Sequence, residues 1–136
     1  MSHEAIDTVR AIYDAIGAGD TAAIAARFAA DVRIEQTPEL PWGGVYDGLA
    51  GFAKFSATLR AHIESRVAID TVFAAGADIV VIGHTIGKTK QNGAAFEVAI
   101  AHVLTVADGK VTRARYFIDT PAMLAALGPQ ETMSGA

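Results

Sequence analysis

The last apolar strand of the sequence ends Arg115-Tyr116-Phe117-Ile118-Asp119-Thr120-Pro121, which sets a carboxylate where a strand gives way to a short terminal helix. A carboxylate there needs a charge partner, solvent or a chemical task. Two imidazoles, His84 and His102, lie on the apolar stretches just before it. Carboxylate and imidazole in apolar surroundings suit proton transfer, because burial and hydrogen bonding tune both groups. Other chemistries lack their residues. With no Cys there is no thiol nucleophile, thiolate metal site or disulfide. The four histidines, His3, His62, His84 and His102, form no helical metal-binding pair. The sequence also lacks a phosphate-cradling glycine loop, a dinucleotide-binding glycine fingerprint and a nucleophile elbow. No cofactor is therefore expected.

Composition bounds the rest. A chain of 136 residues fits one domain with one sizeable core. Half the residues are apolar (51%) and 19% are charged, which argues against disorder. A net charge of −4 and the lack of a long basic run argue against nucleic acid as a partner. No apolar run is long enough to span a bilayer, and the start carries no secretory pattern. A cytoplasmic protein with no membrane partner is the expectation.

Helices come first along the chain. Ile6, Val9, Tyr13 and Ile16 recur at helical spacing, with Ser2 as a possible cap and Gly17 and Gly19 as the stop. Asp20 is placed to cap a second helix carrying Ile24 and Phe28. A short strand over Val32 to Thr37 and a Pro- and Gly-broken loop over Pro38 to Gly44 follow. A third helix turns Leu49, Phe52, Phe55, Leu59 and Ile63 inward. Four strands are then expected over Val67–Ala75, Ile79–Thr89, Phe96–Val106 and Lys110–Ile118. Their turns carry Gly76, Asn92-Gly93 and Asp108-Gly109. Helices followed by strands make an α+β domain over residues 1–128. Thr120 and Pro121 open a last short helix, and residues 129–136 read as a flexible tail.

Register gathers the polar residues. A two-residue Asp108-Gly109 turn pairs Ala107 with Lys110 and hence His102 with Arg115. His102, Arg115, Phe117 and Asp119 then share one face with Phe96 and Ile100, while Glu97, Ala99, Ala101, Thr112, Ala114 and Tyr116 take the other. A slip of one residue would break this grouping. A two-residue Asn92-Gly93 turn pairs His84 with Ala101. A three-residue Gln91-Asn92-Gly93 loop pairs it with Ile100 and joins it to His102 and Asp119; the second arrangement is favoured. Arg115 on the same face as Asp119 would lower its pKa and make it a poor base.

The sequence resembles the SnoaL-like branch of the NTF2-like superfamily from about Glu4 to Leu127. The likeness is carried by Gly19-Asp20, Phe28-Ala29-Ala30-Asp31-Val32, Pro41-Trp42-Gly43-Gly44-Val45-Tyr46-Asp47-Gly48, Ala101-His102-Val103, Asp108-Gly109-Lys110-Val111 and Arg115-Tyr116-Phe117-Ile118-Asp119-Thr120, in that order. The resemblance implies a cone, with a curved sheet wrapped around helices and one apolar pocket. It also implies a homodimer through the outer sheet face. In the family's polyketide cyclases an Asp matching Asp119 is the acid/base, with His84 or His102 to orient it or shuttle protons. Tyr13 would then donate to a developing enolate oxygen. A small hydrophobic carbonyl compound would lie among Phe28, Trp42, Tyr46, Phe52, Phe55, Leu59, Arg115 and Phe117. Two related chemistries lack their acids. Epoxide opening of the limonene-epoxide hydrolase type needs an Arg and a second Asp, and His84 and Ile86 stand there. Isomerisation of the ketosteroid type needs two Asp residues; the Phe96–Val106 strand has none. The same fold also hosts non-catalytic ligand-binding or dimerisation modules, in which Asp119 would be exposed, capped or neutralised.

Overall fold

The computed structural model describes residues 2–128; the tail expected over 129–136 lies outside the described residues. Helix α1 spans Ser2–Ala18, α2 Thr21–Ala26 and α3 Gly48–His62, with α4 over Thr120–Leu127. The strands are β1 Phe28–Gln36, β2 Gly44–Asp47, β3 Ile63–Ala75, β4 Asp78–Thr89, β5 Ala95–Ala107 and β6 Lys110–Ile118. They form one curved, open sheet in the order β2-β1-β6-β5-β4-β3. The long strands β3 to β6 are an antiparallel meander, and β1 joins β6 in parallel. This is the α+β arrangement expected from the sequence.

Local chemistry explains most boundaries. Gly19, at φ +70°, ends α1, and the Asp20 carboxylate accepts from Ala23 N at 3.1 Å to cap α2. Asp108 and Gly109 both have positive φ, the mirror-image turn that suits a tight hairpin. Four details differ from expectation. Phe28 opens β1 instead of closing α2, and is buried at its start. Ile63 begins β3 and does not extend α3. Leu49 is 39% exposed, so α3 turns only its later residues inward. Strand β2, an edge strand of four residues, was not visible behind the prolines and glycines.

The core lies between the inner sheet face and the helices. Val9 and Ile12 of α1 meet Val32 and Ile34 of β1, Val81 of β4, Leu104 of β5 and Val111 of β6, all essentially sealed from solvent. Met123 and Leu127 bring α4 onto the same core. Trp42, 1% exposed, closes the loop before β2, and its indole N–H donates to Gln36 Oε1 at 2.8 Å. Gly43 permits this fold of the loop: a Cβ there would stand 1.7 Å from the Thr37 carbonyl oxygen.

Two local irregularities decide which side chains face inward. Between β5 and β6 the register runs Ala107↔Lys110 and Val106↔Val111, then shifts to Thr105↔Arg113. Thr112 is the extra residue of a β-bulge, its hydroxyl donating to Thr105 O at 3.3 Å. Beyond the bulge His102 therefore pairs with Tyr116 and not with Arg115. Between β4 and β5 the loop is four residues long, with Lys88 opposite Ala95 and Gly93 in the left-handed conformation. His84 therefore pairs with Ala99. That puts it on the outer face, against the arrangement favoured from the sequence. The longer loop is held by Asn92. Its amide donates to Ala126 O and Leu127 O at 3.2 and 3.3 Å, and its carbonyl accepts from Ala94 N at 3.0 Å and from the buried Thr89 hydroxyl.

Candidate functional site

A cavity of about 530 Å³ opens between α1, α3 and the inner sheet face. Its apolar wall includes Ile12, Ile24, Trp42, Phe52, Phe55, Leu59, Ile100, Leu104, Ile118 and Met123. The helix α3 contribution is one continuous face, Phe52, Phe55, Ser56, Leu59 and Arg60, at the three- and four-residue spacing of a helix. The volume lies within the usual range for small-molecule pockets.

Three polar rings meet in this wall. Tyr13 comes from α1, one residue after the core residue Ile12. His102 comes from the inner row of β5, between Ile100 and Leu104. Tyr116 comes from the inner row of β6, directly across from His102. The Tyr13 hydroxyl lies 2.5 Å from His102 Nδ1. The His102 and Tyr116 rings meet edge to face, with centroids 4.6 Å apart, and Tyr116 stacks on Phe55 at 5.5 Å.

Protonation follows from burial. Loss of water pushes the His102 pKa down to about 3, so the ring is neutral at physiological pH. Burial raises the Tyr13 hydroxyl well above the ordinary phenol value, with the Tyr116 charge adding to the effect, and burial raises Tyr116 likewise. All three rings keep some accessible surface, and all three line the cavity. Tyr13 has no other acceptor among the described residues, so its hydroxyl donates to Nδ1. The imidazole proton is then on Nε2. The Tyr116 hydroxyl has no partner among the described residues, although it is not sealed off. The site thus presents two neutral donors, His102 Nε2–H and Tyr116 O–H.

The sequence-derived candidates divide on this geometry. Tyr13, His102, Trp42, Phe52, Phe55 and Leu59 line the cavity together. Phe28 lies behind it, packed on Phe52 with centroids 4.5 Å apart. Tyr46 packs edge-on against Phe55 and donates to Trp42 O at 3.1 Å. The remaining four were assigned to the wrong surroundings. His84 lies on the outer face, 3.3 Å from the Asp70 carboxylate. The bulge turns Arg115 and Phe117 outward; Arg115 meets Asp78 at 3.2 Å and Phe117 is 53% exposed. Asp119 is exposed, and its carboxylate accepts from Ala122 N at 3.2 Å as the N-cap of α4. Thr120, the first residue of α4, donates to Ile118 O and leaves the cap to Asp119.

This placement makes Asp119 a helix cap. Asp119→Ala is expected to destabilise the fold by about 1 kcal/mol, and Asp119→Asn to be nearly neutral. Urea unfolding of both variants checks this. A loss several times larger would mean that the carboxylate has a further partner.

Tyr116 was the residue missed. Its signal was present: Ala114, Tyr116 and Ile118 form a more apolar alternate row than Arg113, Arg115 and Phe117. Turn-based register outweighed it. Glu35, the acidic residue of β1 next to the cavity-lining Gln36, faces away and is held by Arg113 at 2.7 and 3.2 Å; that guanidinium keeps its pKa below the ordinary value. Among the described residues no group of acidic, His or Cys side chains is arranged to hold a metal ion. No helix among them is long and apolar enough to cross a membrane.

Known proteins share this architecture. An NTF2-like protein of unknown function from Burkholderia pseudomallei superposes with a TM-score of 0.86 at 28% identity, over 95% of this chain and all of that one. An NTF2-like protein from Burkholderia xenovorans gives 0.82 at 27% identity, over 94% and 98% of the two chains. TerC, crystallised with polyporic acid, gives 0.84 at 25% identity, over 93% and 99%. No curated protein matches the sequence. The SnoaL-like domain profile matches residues 9–114, most of the chain, so the protein belongs to the SnoaL-like domain family and carries the NTF2-like fold.

Proposed function

We propose that the protein binds a small hydrophobic carbonyl compound in this cavity and promotes its enolisation without a cofactor, as a cyclase- or isomerase-type reaction requires. The observation that carries this reading is the Tyr13–His102 hydrogen bond beside the unpartnered Tyr116 hydroxyl. Tyr13 fixes the imidazole tautomer. His102 Nε2–H and Tyr116 O–H then donate to the carbonyl oxygen as negative charge develops on it. Neutral donors serve this better than charged ones in an apolar wall, since they need no counter-charge. The α-proton leaves to water or to a basic group of the compound itself, because the pKa of His102 makes it a weak base and Asp119 is elsewhere.

The apolar lining supports a flat aromatic ligand, as does the polyporic acid with which TerC was co-crystallised. The test uses 2-tetralone in deuterated buffer, with α-proton exchange followed by NMR, and polyporic acid as a binding probe. Accelerated exchange that polyporic acid inhibits is expected. No acceleration and no binding of either compound would sink the proposal. Binding without acceleration would favour a carrier role, which the lack of a carboxylate base at the three rings also suits.

We also propose that a second copy covers the outer sheet face. Phe73 and Phe117 are 45% and 53% exposed there, beside half-buried Val80, Ile82, Ile86 and Val103. Such a patch is larger than scattered surface hydrophobes. Sedimentation should give a dimer that Phe117→Glu dissociates; a monomeric wild type at micromolar concentration would refute it.

A further inference from the structure

Four charged residues border the cavity: Arg60, Glu64, Arg66 and Lys90. Their directions differ. Glu64 and Arg66 stand opposite Lys88 and Ile86 in the β3–β4 ladder. Those β4 positions alternate with the inward Thr85 and Thr89, so Glu64 and Arg66 project from the outer face. Glu64 is also engaged there, 4.0 Å from Lys88 Nζ. Arg60 belongs to the cavity-facing row of α3. Lys90 lies in the loop after β4 and lines the cavity, with its backbone N–H bonded to His62 O at 2.9 Å beside the end of α3. Neither Arg60 nor Lys90 has a carboxylate partner among the described residues. A protein with 15 acidic and 11 basic residues thus keeps two unpaired cations at the mouth of an apolar cavity.

We infer that the ligand is an amphipathic anion. Its apolar body fills the cavity, and a carboxylate, sulfonate or ionised acidic enol lies at the mouth against Arg60 and Lys90. A low-dielectric cleft focuses the field of such cations on an entering anion. The inference rests on the cavity being a ligand site, and it adds the charge of the ligand.

The test compares two fluorescent probes with one skeleton, 8-anilinonaphthalene-1-sulfonate and neutral N-phenyl-1-naphthylamine. Wild type is expected to bind the sulfonate at least about threefold tighter, with the preference shrinking as salt rises. Arg60→Gln with Lys90→Gln should abolish the preference, weakening the sulfonate far more than the neutral probe. Ser56→Trp, which fills the cavity, should weaken both probes; circular dichroism checks that each variant is folded. Equal or tighter binding of the neutral probe by wild type overturns the inference while leaving the cavity reading intact, as does a preference that survives in the double variant. Failure of both probes to bind, or binding indifferent to Ser56→Trp, overturns the cavity reading and this inference with it.

Discussion

His102→Leu should lower the catalysed α-proton exchange by about 10²- to 10³-fold, the usual loss when one preorganised donor to a developing oxyanion is removed. Tyr13→Phe should lose less, about tenfold, because Nε2–H survives but its tautomer is no longer imposed. The same His102 variant has a second, independent readout in stability. The ordinary His pKa is 6.5 and the folded value is about 3. Between those limits the unfolded chain binds a proton that the folded chain refuses, so stability rises with pH. Wild type therefore loses stability as pH falls below about 6.5, and the loss from this group continues to about pH 3. Subtracting the urea-unfolding free energies of His102→Leu from those of wild type across this window isolates the contribution. A flat difference would show that His102 is hydrated. Unchanged exchange in the variant would remove the ring from the chemistry.

Trp42→Ala should destabilise the fold by about 3–5 kcal/mol, a large share of the roughly 5–15 kcal/mol that holds a domain together. The indole is 1% exposed, packs near His62 at a centroid distance of 5.9 Å, and bonds Gln36. Its removal enlarges the cavity and strands the Gln36 carbonyl in an apolar wall. Trp42→Phe keeps most of the packing and should lose less than half as much. Urea midpoints at fixed slope measure both. A loss below about 1 kcal/mol for the alanine variant would mean that the loop collapses onto the space, which the tight approach of Gly43 to Thr37 opposes.

The contrast between what local sequence reveals and what it hides is sharp in the sheet. Helix α1, α3 and strands β4 to β6 follow from periodicity, because each has a strong apolar row with a glycine or Asx residue marking at least one end. The α+β class follows from those rows, and the SnoaL-like resemblance pointed to Phe52, Phe55, Leu59, Trp42, Tyr13 and His102, which line the cavity. Facing was harder. The four-residue loop before β5 exists because Asn92 reaches carbonyls of α4, 34 and 35 residues away in sequence. The Thr112 bulge adds one residue with no glycine to mark it. Both are parity effects: each reverses the face of every residue on one side of it. They moved His84, Arg115 and Phe117 out and Tyr116 in, and separated Asp119 from the imidazole it was expected to serve.

Thr112 has an evolutionary corollary. Strand β6 encodes two complete surfaces in alternation: Ala114, Tyr116 and Ile118 in one phase, Arg113, Arg115 and Phe117 in the other. Which surface becomes cavity wall is decided by one codon upstream of both. Loss of that codon would exchange a phenol for guanidinium groups inside the cavity without altering any residue that touches a ligand. Paralogues of this fold can therefore acquire a differently charged interior in a single step, and position-by-position alignment across such an event will equate residues from opposite sides of the sheet.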